Sequence, residues 1–303
     1  MAEEKLTGNL ASANLLFITL DSLRLDAAQS AALPSLGSLE GPVACYTHGN
    51  FTLPAHFAFF TGFLPLPLDA DHRFLGGTYS RLFRPASSRP APGEVAISFD
   101  ATTIISSFAA AGARVIGMGG VPYFDPRNSQ ISFAPDFPEF HYVGYSANSD
   151  YGNGRTFAEA AHHSSIARLR DWLAAGPVDP RRQHLIFVNE PSTHFPFVCP
   201  ATSLTAADDR LLVEFDRYVR LKRPVPDRLA RTLLPWGIDR QRVILEWLDT
   251  MLGELFDMLA GLRRQTLVVI CGDHGEAFGD ENRVGHFLNL DAVLHVPLWA
   301  KII

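Results

Sequence analysis

The sequence predicts an α/β protein in which a doubly wound, mostly parallel sheet lies between two layers of helices. Short apolar runs without helical periodicity recur along the chain, as is typical of buried parallel strands. Segments with the spacing of helices separate these runs, and such alternation indicates parallel pairing. Acidic residues and histidines follow several of the runs, at the strand ends where ligands bind in open α/β sheets.

Five apolar runs are predicted to be strands, and they cover residues 15–20, 114–120, 184–189, 266–272 and 295–302. Helical patterns precede three of them, at residues 101–113, 156–176 and about 239–262. The last run contains Pro297, which has no N–H group to donate to a sheet ladder. This strand is therefore predicted to lie at an edge or to start irregularly.

We expect one domain over residues 1–303, with two inserted loops at about 63–98 and 195–238. Both segments are rich in proline and interrupt the alternation of strands and helices. Insertions of this length in a compact domain are usually functional loops or lids. They are therefore expected to decide which substrate fits.

The composition argues against two classes of partner. The 303-residue chain has a formal net charge of −6, so it has no basic footprint for nucleic acid or an anionic membrane. Its three cysteines form no CxxC pair and predict no disulfide framework. The amino terminus shows no signal peptide or membrane span. We expect a cytoplasmic protein that acts on a soluble small molecule, with homo-oligomer formation left open.

Metal-type ligands follow three of the predicted strands. Asp21 comes after the first strand, Glu190 after the third, and Asp273 with His274 after the fourth. Any one of these residues could be structural. Three independent strands that bring carboxylates and an imidazole to one edge of a sheet favour a metal site. Oxygen and nitrogen ligands without cysteine suit Zn²⁺ or Mn²⁺.

Two histidines extend this set. His194 lies four residues after Glu190, so both side chains can face the same way in a helical turn or a tight loop. His286 follows Gly285, whose backbone freedom lets the chain turn the imidazole inward. Each histidine also has an ordinary interpretation, His194 as a solvent-exposed residue and His286 as a residue that caps a nearby carbonyl.

The stretch "GNFTLPAHFAFFTGF" (49–63) predicts a helix that begins near Thr52, because Pro54 precedes an apolar helical run. In one interpretation Thr52 is only the helix N-cap. In the other it is a nucleophile, because a helix N-terminus offers free N–H groups and a positive dipole to an anion. Threonine must lose its proton to attack, and a metal ion strongly lowers the pKa of a bound oxygen.

Four segments resemble the alkaline phosphatase superfamily, and within it the sulfatase-like branch that includes lipoteichoic acid synthases and phosphoethanolamine transferases. These segments are "LLFITLDSLR", "NFTLPAHFAFFTG", "NEPSTHFPF" and "VVICGDHGEAFG", the last followed by "VGHF" and "HVPLW". The match extends over nearly the whole chain. It implies an alkaline phosphatase-like fold.

The resemblance implies metal-binding roles for the matching residues. The ion beside the nucleophile would be held by Asp21, Thr52, Asp273 and His274. A second ion would take Glu190, His194 and His286, with glutamate where the family has aspartate. Lipoteichoic acid synthase-like members bind one metal, and in that case the two histidines would bind substrate oxygens. One or two divalent ions, Zn²⁺ or Mn²⁺, are therefore expected.

The nucleophile position departs from that of sulfatases. Thr52 stands where sulfatases carry the cysteine that is converted to formylglycine, and His56 replaces the arginine of their signature. Threonine cannot be converted, so the resemblance favours phosphoryl chemistry. Asn50 and Arg24 lie near Thr52 and Asp21 in sequence and are predicted to bind phosphoryl oxygens, with packing roles as the alternative.

The leading hypothesis is a metal-dependent hydrolase or transferase that acts on a phosphoester of a soluble small molecule. The ester is a monoester, a diester or a phosphonate, and Thr52 is the nucleophile. One alternative is a sulfatase-like enzyme that cleaves sulfate esters without formylglycine. Another is a metal-binding, non-catalytic partner in a biosynthetic complex.

Overall fold

The centre of the fold is a seven-stranded sheet. Its strands are β1 (Asn14–Leu20), β2 (Glu40–Tyr46), β3 (Arg114–Gly119), β4 (Glu139–Tyr142), β5 (His184–Glu190), β6 (Thr266–Gly272) and β7 (His295–Ile302). They are ordered β2-β7-β6-β1-β5-β3-β4 across the sheet. Strand β7 pairs antiparallel with β2 and β6, and the other neighbours pair in parallel. The predicted mostly parallel sheet is confirmed.

The structure is a computed structural model that describes residues 12–63, 102–128, 131–144, 164–176 and 178–303, with the short segments 83–84, 92–93 and 97–98. Two-residue strands pair Ala277–Phe278 with Val284–Gly285 and Phe83–Arg84 with Ile97–Ser98. Short 3₁₀ helices cover Leu36–Ser38, Pro122–Phe124, Ala134–Asp136 and Asp280–Asn282.

Helices cover both faces of the sheet. Those in the described segments are α1 (Leu25–Ser30), α2 (Thr52–Thr61), α3 (Ile104–Ala110), α4 (Ser165–Ala174), α5 (Ala206–Leu221), α6 (Asp227–Ala260) and α7 (Asp291–Leu294). Helices α1, α4 and α6 share one apolar core with the sheet, and α2 and α3 share the core on the opposite face. The predicted three-layer arrangement is therefore confirmed. Among these helices, none has both the length and the apolar character needed to cross a bilayer.

The five predicted strands are found within about a residue of their expected bounds, while β2 and β4 were missed. Strand β2 is exposed along most of its length, so it carries no apolar run. Strand β4 has only four residues. The prediction of an edge position for Pro297 is wrong, because β7 lies between β2 and β6. Pairing with β6 begins only at Leu298, so the missing N–H group of Pro297 leaves that ladder intact.

Segment 195–238 differs from the inserted loop that was predicted. It contains the whole of α5 and the first turns of α6, a 34-residue helix that starts at Asp227 rather than near residue 239. Pro235 lies inside this helix, and the prolines around it suggested a loop. Most of the other predicted insertion, 63–98, lies outside the described residues, as does the part of the predicted helix 156–176 before residue 164.

The register of the three central strands, β1, β5 and β6, brings their last residues to the same edge of the sheet. Leu20, the last residue of β1, pairs with Glu190 of β5 on one side and with Gly272 of β6 on the other. Because parallel strands end at the same edge, the residues that follow them are brought together. Leu16 and Ile18 of β1 are fully buried, and each such side chain stabilises the folded state by about 1.5–3 kcal/mol.

Gly237 of α6 provides a test of how the fold supports that edge. A Cβ atom at Gly237 would lie 2.2 Å from the ring of Phe278, in the loop that follows β6. Alanine favours a helix over glycine by about 1 kcal/mol, but overpacking costs about 1–3 kcal/mol or more. We expect Gly237→Ala to lower the free energy of unfolding measured in urea.

The control is Gly261→Ala at the end of the same helix, where the nearest atom lies at an ordinary contact distance of 3.4 Å. This control should leave the free energy of unfolding nearly unchanged. A Gly237→Ala variant as stable as the wild-type protein would show that Phe278 does not pack against α6 as described.

Candidate active site

Three buried side chains meet at the carboxyl ends of β1 and β6. Asp21 directly follows β1, and Asp273 and His274 directly follow β6. All three are fully buried, and one ligand atom from each lies within 4.8 Å of the others. We refer to these residues as the Asp21 group. The structure thus brings together three of the four residues that the resemblance implied for one metal ion, Asp21, Asp273 and His274.

Hydrogen bonds hold the two carboxylates of this group in place. The backbone N–H groups of Ser22 and His274 donate to Asp273 Oδ1 at 3.0 and 2.9 Å. Asn189 Nδ2 donates to Asp21 Oδ2 at 3.1 Å. In contrast, Asp273 Oδ2 is buried and has no hydrogen-bond partner among the described residues. A buried carboxylate oxygen without a donor is costly, and a bound cation would remove that cost.

The imidazole of His274 has the tautomer that a metal ligand requires. Its Nδ1 lies 2.8 Å from the carbonyl of Gly275, which can only accept, so Nδ1 carries the proton. The lone pair of Nε2 therefore faces the carboxylates, 3.6 Å from Asp21 Oδ1 and 3.6 Å from Asp273 Oδ2. Burial and the nearby His286 lower the pKa of His274 to about 3, so the ring is neutral.

The charges of the Asp21 group are poorly balanced by protein atoms. Burial and the neighbouring Asp21 raise the pKa of Asp273 well above its usual value. Burial alone would also raise the pKa of Asp21, but His194, His274 and the amide of Asn189 outweigh it and lower that pKa. When both of these facing carboxylates are ionised they repel each other, and a cation bound between them would remove the repulsion.

Thr52 presents its hydroxyl to the Asp21 group from the start of α2. Its Oγ1 lies 3.4 Å from Asp21 Oδ2 and 3.4 Å from His274 Nε2. The interpretation of Thr52 as the N-cap is wrong, because Phe51 occupies that position and Thr52 is the first helical residue. The side chain therefore points to the ligands, beside the free N–H groups of the helix start.

A second group of potential ligands lies against the first. His194, Glu276 and His286 each offer an atom within 4.8 Å of the others, and we refer to them as the Glu276 group. Glu276 Oε2 accepts a hydrogen bond from His286 Nδ1 at 3.0 Å, whereas no described residue donates a hydrogen bond to the buried Glu276 Oε1. Burial alone would lower the pKa of His286, but the charge of Glu276 raises it. The rings of His274 and His286 are 4.8 Å apart, so the two groups adjoin.

Both groups fit a divalent cation by their donor chemistry. Each contains imidazole nitrogen and carboxylate oxygen atoms, the ligands that Zn²⁺ and Mn²⁺ accept in proteins. Each also contains one buried carboxylate oxygen without a donor, Asp273 Oδ2 or Glu276 Oε1. The described residues therefore form two adjacent pockets of ligands that are suited to metal ions.

We compared the chain with known protein families, curated proteins and solved structures. No protein-family model and no curated protein matches the chain. Among solved structures, the phosphonate monoester hydrolase SpPMH from Silicibacter pomeroyi is similar over 95% of this chain and 68% of its own, with 19% identity and a TM-score of 0.59. A protein in the alkaline phosphatase superfamily from Vibrio parahaemolyticus is similar over 96% of this chain and 60% of its own, with 16% identity and a TM-score of 0.53.

The chain has the alkaline phosphatase-like fold. The lipoteichoic acid synthase LtaP from Listeria monocytogenes is also similar, over 96% of this chain and 65% of its own, with 13% identity and a TM-score of 0.54. These neighbours confirm the fold that the resemblance implied. The chain spans less than two thirds of the length of the Vibrio protein and of the Listeria synthase.

Glu190 does not join either group, which corrects its prediction as a ligand. Its carboxylate is fully buried and accepts hydrogen bonds from Ser164 Oγ at 2.8 Å, from the N–H of Ile166 at 2.9 Å, and from Ser192. Burial raises the pKa of Glu190 despite these donors. Glu190 therefore ties the start of α4 to the loop after β5, and Glu276 takes its place beside the histidines. Glu276 was present in the quoted motif, three residues after Asp273, but was not considered.

Arg24 is also corrected, from a substrate-binding residue to a structural one. Its guanidinium donates to Asp26, to Asp280 at 2.7 and 3.1 Å, and to the carbonyl of Glu276 at 2.8 Å. Burial alone would lower the pKa of Arg24, but the two aspartates raise it. The donors of this nearly buried side chain are thus used within the protein, where they fix the loop that carries Glu276.

Asn50 lies at the same edge of the sheet, but its amide faces another asparagine. Asn50 Nδ2 donates to Asn289 Oδ1 at 3.0 Å, while Asn50 Oδ1 is buried without a hydrogen-bond partner. The backbone carbonyl of Asn50 accepts from the N–H of Phe287 at 2.8 Å. Binding of phosphoryl oxygens by Asn50 stays a prediction.

His56 stands where the resemblance to sulfatases would place an arginine. Its uncharged ring bridges Thr52 and Thr19. Its Nδ1 donates to the carbonyl of Thr52 at 2.7 Å, so its Nε2 accepts from Thr19 Oγ1 at 3.0 Å. Burial lowers the pKa of His56 to about 4. Thr19 in turn accepts from Asn189, which also donates to Asp21. This buried chain of hydrogen bonds links the position of Thr52 to that of Asp21.

Arg24→Met tests the structural role of Arg24. Removal of the charge leaves Asp280 without its partner in a largely buried site, so we expect the free energy of unfolding in urea to fall by about 3 kcal/mol. Arg127→Met is the matched control, because its pair with Asp125 lies at the surface with the arginine side chain 80% exposed, and it should change stability little. Lost activity without lost stability would instead return Arg24 to substrate binding.

Proposed function

We propose that the protein is a metal-dependent phosphoester hydrolase or phosphotransferase in which Thr52 attacks phosphorus. The observation that carries this proposal is the position of the Thr52 hydroxyl, 3.4 Å from both Asp21 and His274 at the start of a helix. A hydroxyl used only for capping would face the backbone of its own helix. Here it faces ligands that suit a cation.

Asp21, Asp273, His274 and Thr52 would hold one divalent ion, and the Glu276 group would hold a second. Bound there, such ions would neutralise charge on the phosphoryl oxygens and lower the pKa of the Thr52 hydroxyl. The two unpartnered oxygens, Asp273 Oδ2 and Glu276 Oε1, support one ion in each group. In a one-metal enzyme, His194 and His286 would bind the substrate instead.

The chain's own residues perform the transfer in two steps. Thr52 Oγ1 loses its proton to solvent and forms a bond to phosphorus as the bond to the leaving oxygen breaks, and the leaving oxygen takes up a proton from solvent and departs as an alcohol. Water or an acceptor alcohol then attacks the phosphothreonine and releases Thr52. The N–H groups at the start of α2 face the phosphoryl group, where their partial positive charge stabilises the added negative charge.

A phosphoester fits this site better than a sulfate ester. Sulfate release in the sulfatase-like branch depends on formylglycine, which a threonine cannot form, and His56 is a neutral bridge where the signature has arginine. We propose a soluble small molecule as the substrate.

Thr52→Val tests the nucleophile, because valine keeps the shape of threonine without its hydroxyl. We expect kcat/KM for bis(4-nitrophenyl) phosphate to fall on the order of 10³-fold or more, with the free energy of unfolding nearly unchanged. Thr52→Ser should keep measurable activity. Thr61→Val, at the other end of α2, is the control and should remain active.

Intact-mass analysis after an acid quench should show a wild-type chain that carries a 4-nitrophenyl phosphoryl group, and no adduct on Thr52→Val. Turnover by the valine variant at the wild-type rate would refute a threonine nucleophile. Faster cleavage of an aryl sulfate than of the aryl phosphate would favour the sulfatase-like alternative. Metal binding without any turnover would favour the non-catalytic one.

Metal content tests the two ligand groups separately. Elemental mass spectrometry on protein purified without chelator should find about two equivalents of zinc or manganese per chain. Asp273→Asn should lose the ion beside Thr52, and Glu276→Gln the other. Glu190→Gln should keep both ions but unfold at lower urea, because its hydrogen bonds are structural.

A wild-type protein with one equivalent would make the Glu276 group a substrate-binding site. Loss of metal from Glu190→Gln, with none lost from Glu276→Gln, would restore the original prediction for Glu190. A protein that holds no metal even after addition of zinc or manganese would refute metal dependence.

A further inference from the structure

Gln241 is a polar residue on the core-facing side of α6. Its side chain is fully buried, and its neighbours on that side of the helix are apolar, namely Leu233, Ile244, Leu245, Leu248 and Leu252. A buried amide in such a place is costly unless its polar atoms have hydrogen-bond partners. The partners of Gln241 therefore indicate what this residue does.

The amide of Gln241 binds two loops at the carboxyl ends of the central strands. Its Nε2 donates to the carbonyl of Ser22 at 2.6 Å and to the carbonyl of Thr193 at 3.0 Å. Its Oε1 accepts from the N–H of Arg24 at 3.1 Å. Because a carbonyl only accepts and an N–H only donates, these partners fix the orientation of the amide. One side chain of a long helix thus holds the loop after β1 and the loop after β5.

The loop after β1 contains a turn that needs support. Ser22 has a φ of +63°, a left-handed conformation that a residue other than glycine adopts at a cost. In this conformation its N–H donates to Asp273 Oδ1 at 3.0 Å, while its carbonyl accepts from Gln241. Ser22 also directly follows Asp21. The turn that Gln241 holds therefore places both carboxylates of the Asp21 group.

The loop after β5 is joined to the same turn. Thr193 Oγ1 donates to the carbonyl of Asp21 at 2.6 Å. The carbonyl of Thr193, which accepts from Gln241, belongs to the peptide group that links Thr193 to His194 of the Glu276 group. Gln241 therefore contacts the backbone directly beside a potential ligand in each of the two groups.

We propose that Gln241 is a positioning residue that holds the Asp21 group and the Glu276 group in place for metal binding. This inference rests on the proposed function and deepens it. Loss of a residue that orients metal ligands typically weakens metal binding by about 10–100-fold. Since Gln241 holds the loops of both groups, its removal weakens the binding of both ions, whereas the loss of one ligand acts on one ion.

The affinity of the folded, metal-free protein for Zn²⁺ tests this inference. Gln241→Met keeps the length of the side chain and removes its hydrogen-bonding groups. Combined with Glu276→Gln, this change is measured at the Asp21 group, and combined with Asp273→Asn it is measured at the Glu276 group. By competition with a chromophoric chelator, we expect Zn²⁺ to bind at each group about 10-fold or more weakly than in the same variant with Gln241 present.

Asp249→Leu is the matched control for lost stability. Asp249 is also buried on α6, but its carboxylate accepts from the N–H groups of Ser35 and Leu36, which precede β2. This variant should unfold at lower urea and bind Zn²⁺ as tightly as the wild-type protein. If Gln241→Met behaves in the same way, with lost stability and unchanged Zn²⁺ affinity, the positioning role is overturned.

Thr193→Val decides the question if Gln241→Met does not fold. Valine keeps the shape of threonine and removes only the hydroxyl that donates to the carbonyl of Asp21. We expect weaker binding of Zn²⁺ at the Asp21 group, with the folded state retained. In that case an unchanged affinity would refute the inference.

The wild-type protein separates the failure of this inference from that of the proposed function. If it binds Zn²⁺ and turns over a phosphoester, while Gln241→Met binds Zn²⁺ equally tightly, the inference fails and the proposed function stands. If the wild-type protein binds neither Zn²⁺ nor Mn²⁺, the proposed function fails and this inference fails with it.

Discussion

The burial of two facing carboxylates, Asp21 and Asp273, is the constraint on which the rest of the site depends. Both side chains are fully buried, and an ionised carboxylate without compensation is costly in such a place. Backbone N–H groups satisfy Asp273 Oδ1, and Asn189 satisfies Asp21 Oδ2, but Asp273 Oδ2 has no hydrogen-bond partner. The protein thus compensates part of the charge, and a divalent cation suits the remainder.

Buried, uncharged side chains hold these carboxylates and Thr52 in fixed positions relative to one another. His56 bridges Thr19 of β1 and the carbonyl of Thr52, and its low pKa ensures that it adds no charge of its own. Phenylalanine rings pack around its imidazole, which keeps water from these hydrogen bonds. The hydroxyl of Thr52 is thereby aimed by the helix that carries it, and its position does not depend on a flexible loop.

The two glutamates of the site show where sequence reasoning succeeds and where it does not. Both Glu190 and Glu276 follow strands of the central sheet and both are buried. Glu190 has hydrogen-bond donors from the start of α4 and from Ser192, while Glu276 meets two histidines. Spacing in sequence cannot separate these cases, because the fold brings the start of α4 to Glu190 and brings His194, from the loop after β5, to Glu276. The same holds for Arg24, whose partner Asp280 lies 256 residues away.

The sequence by itself determined five of the seven strands of the sheet and much of the candidate site. Apolar runs identified β1, β3, β5, β6 and β7, because strands buried between two layers of helices are apolar on both faces. Asp21, Asp273 and His274 followed from those strand ends, and Thr52 from its helix start. Only the tertiary structure decided the exposed edge strand β2, the helices within 195–238, and the choice of Glu276 over Glu190. Each of these depends on what a segment packs against, and such contacts form between residues that are distant in the chain.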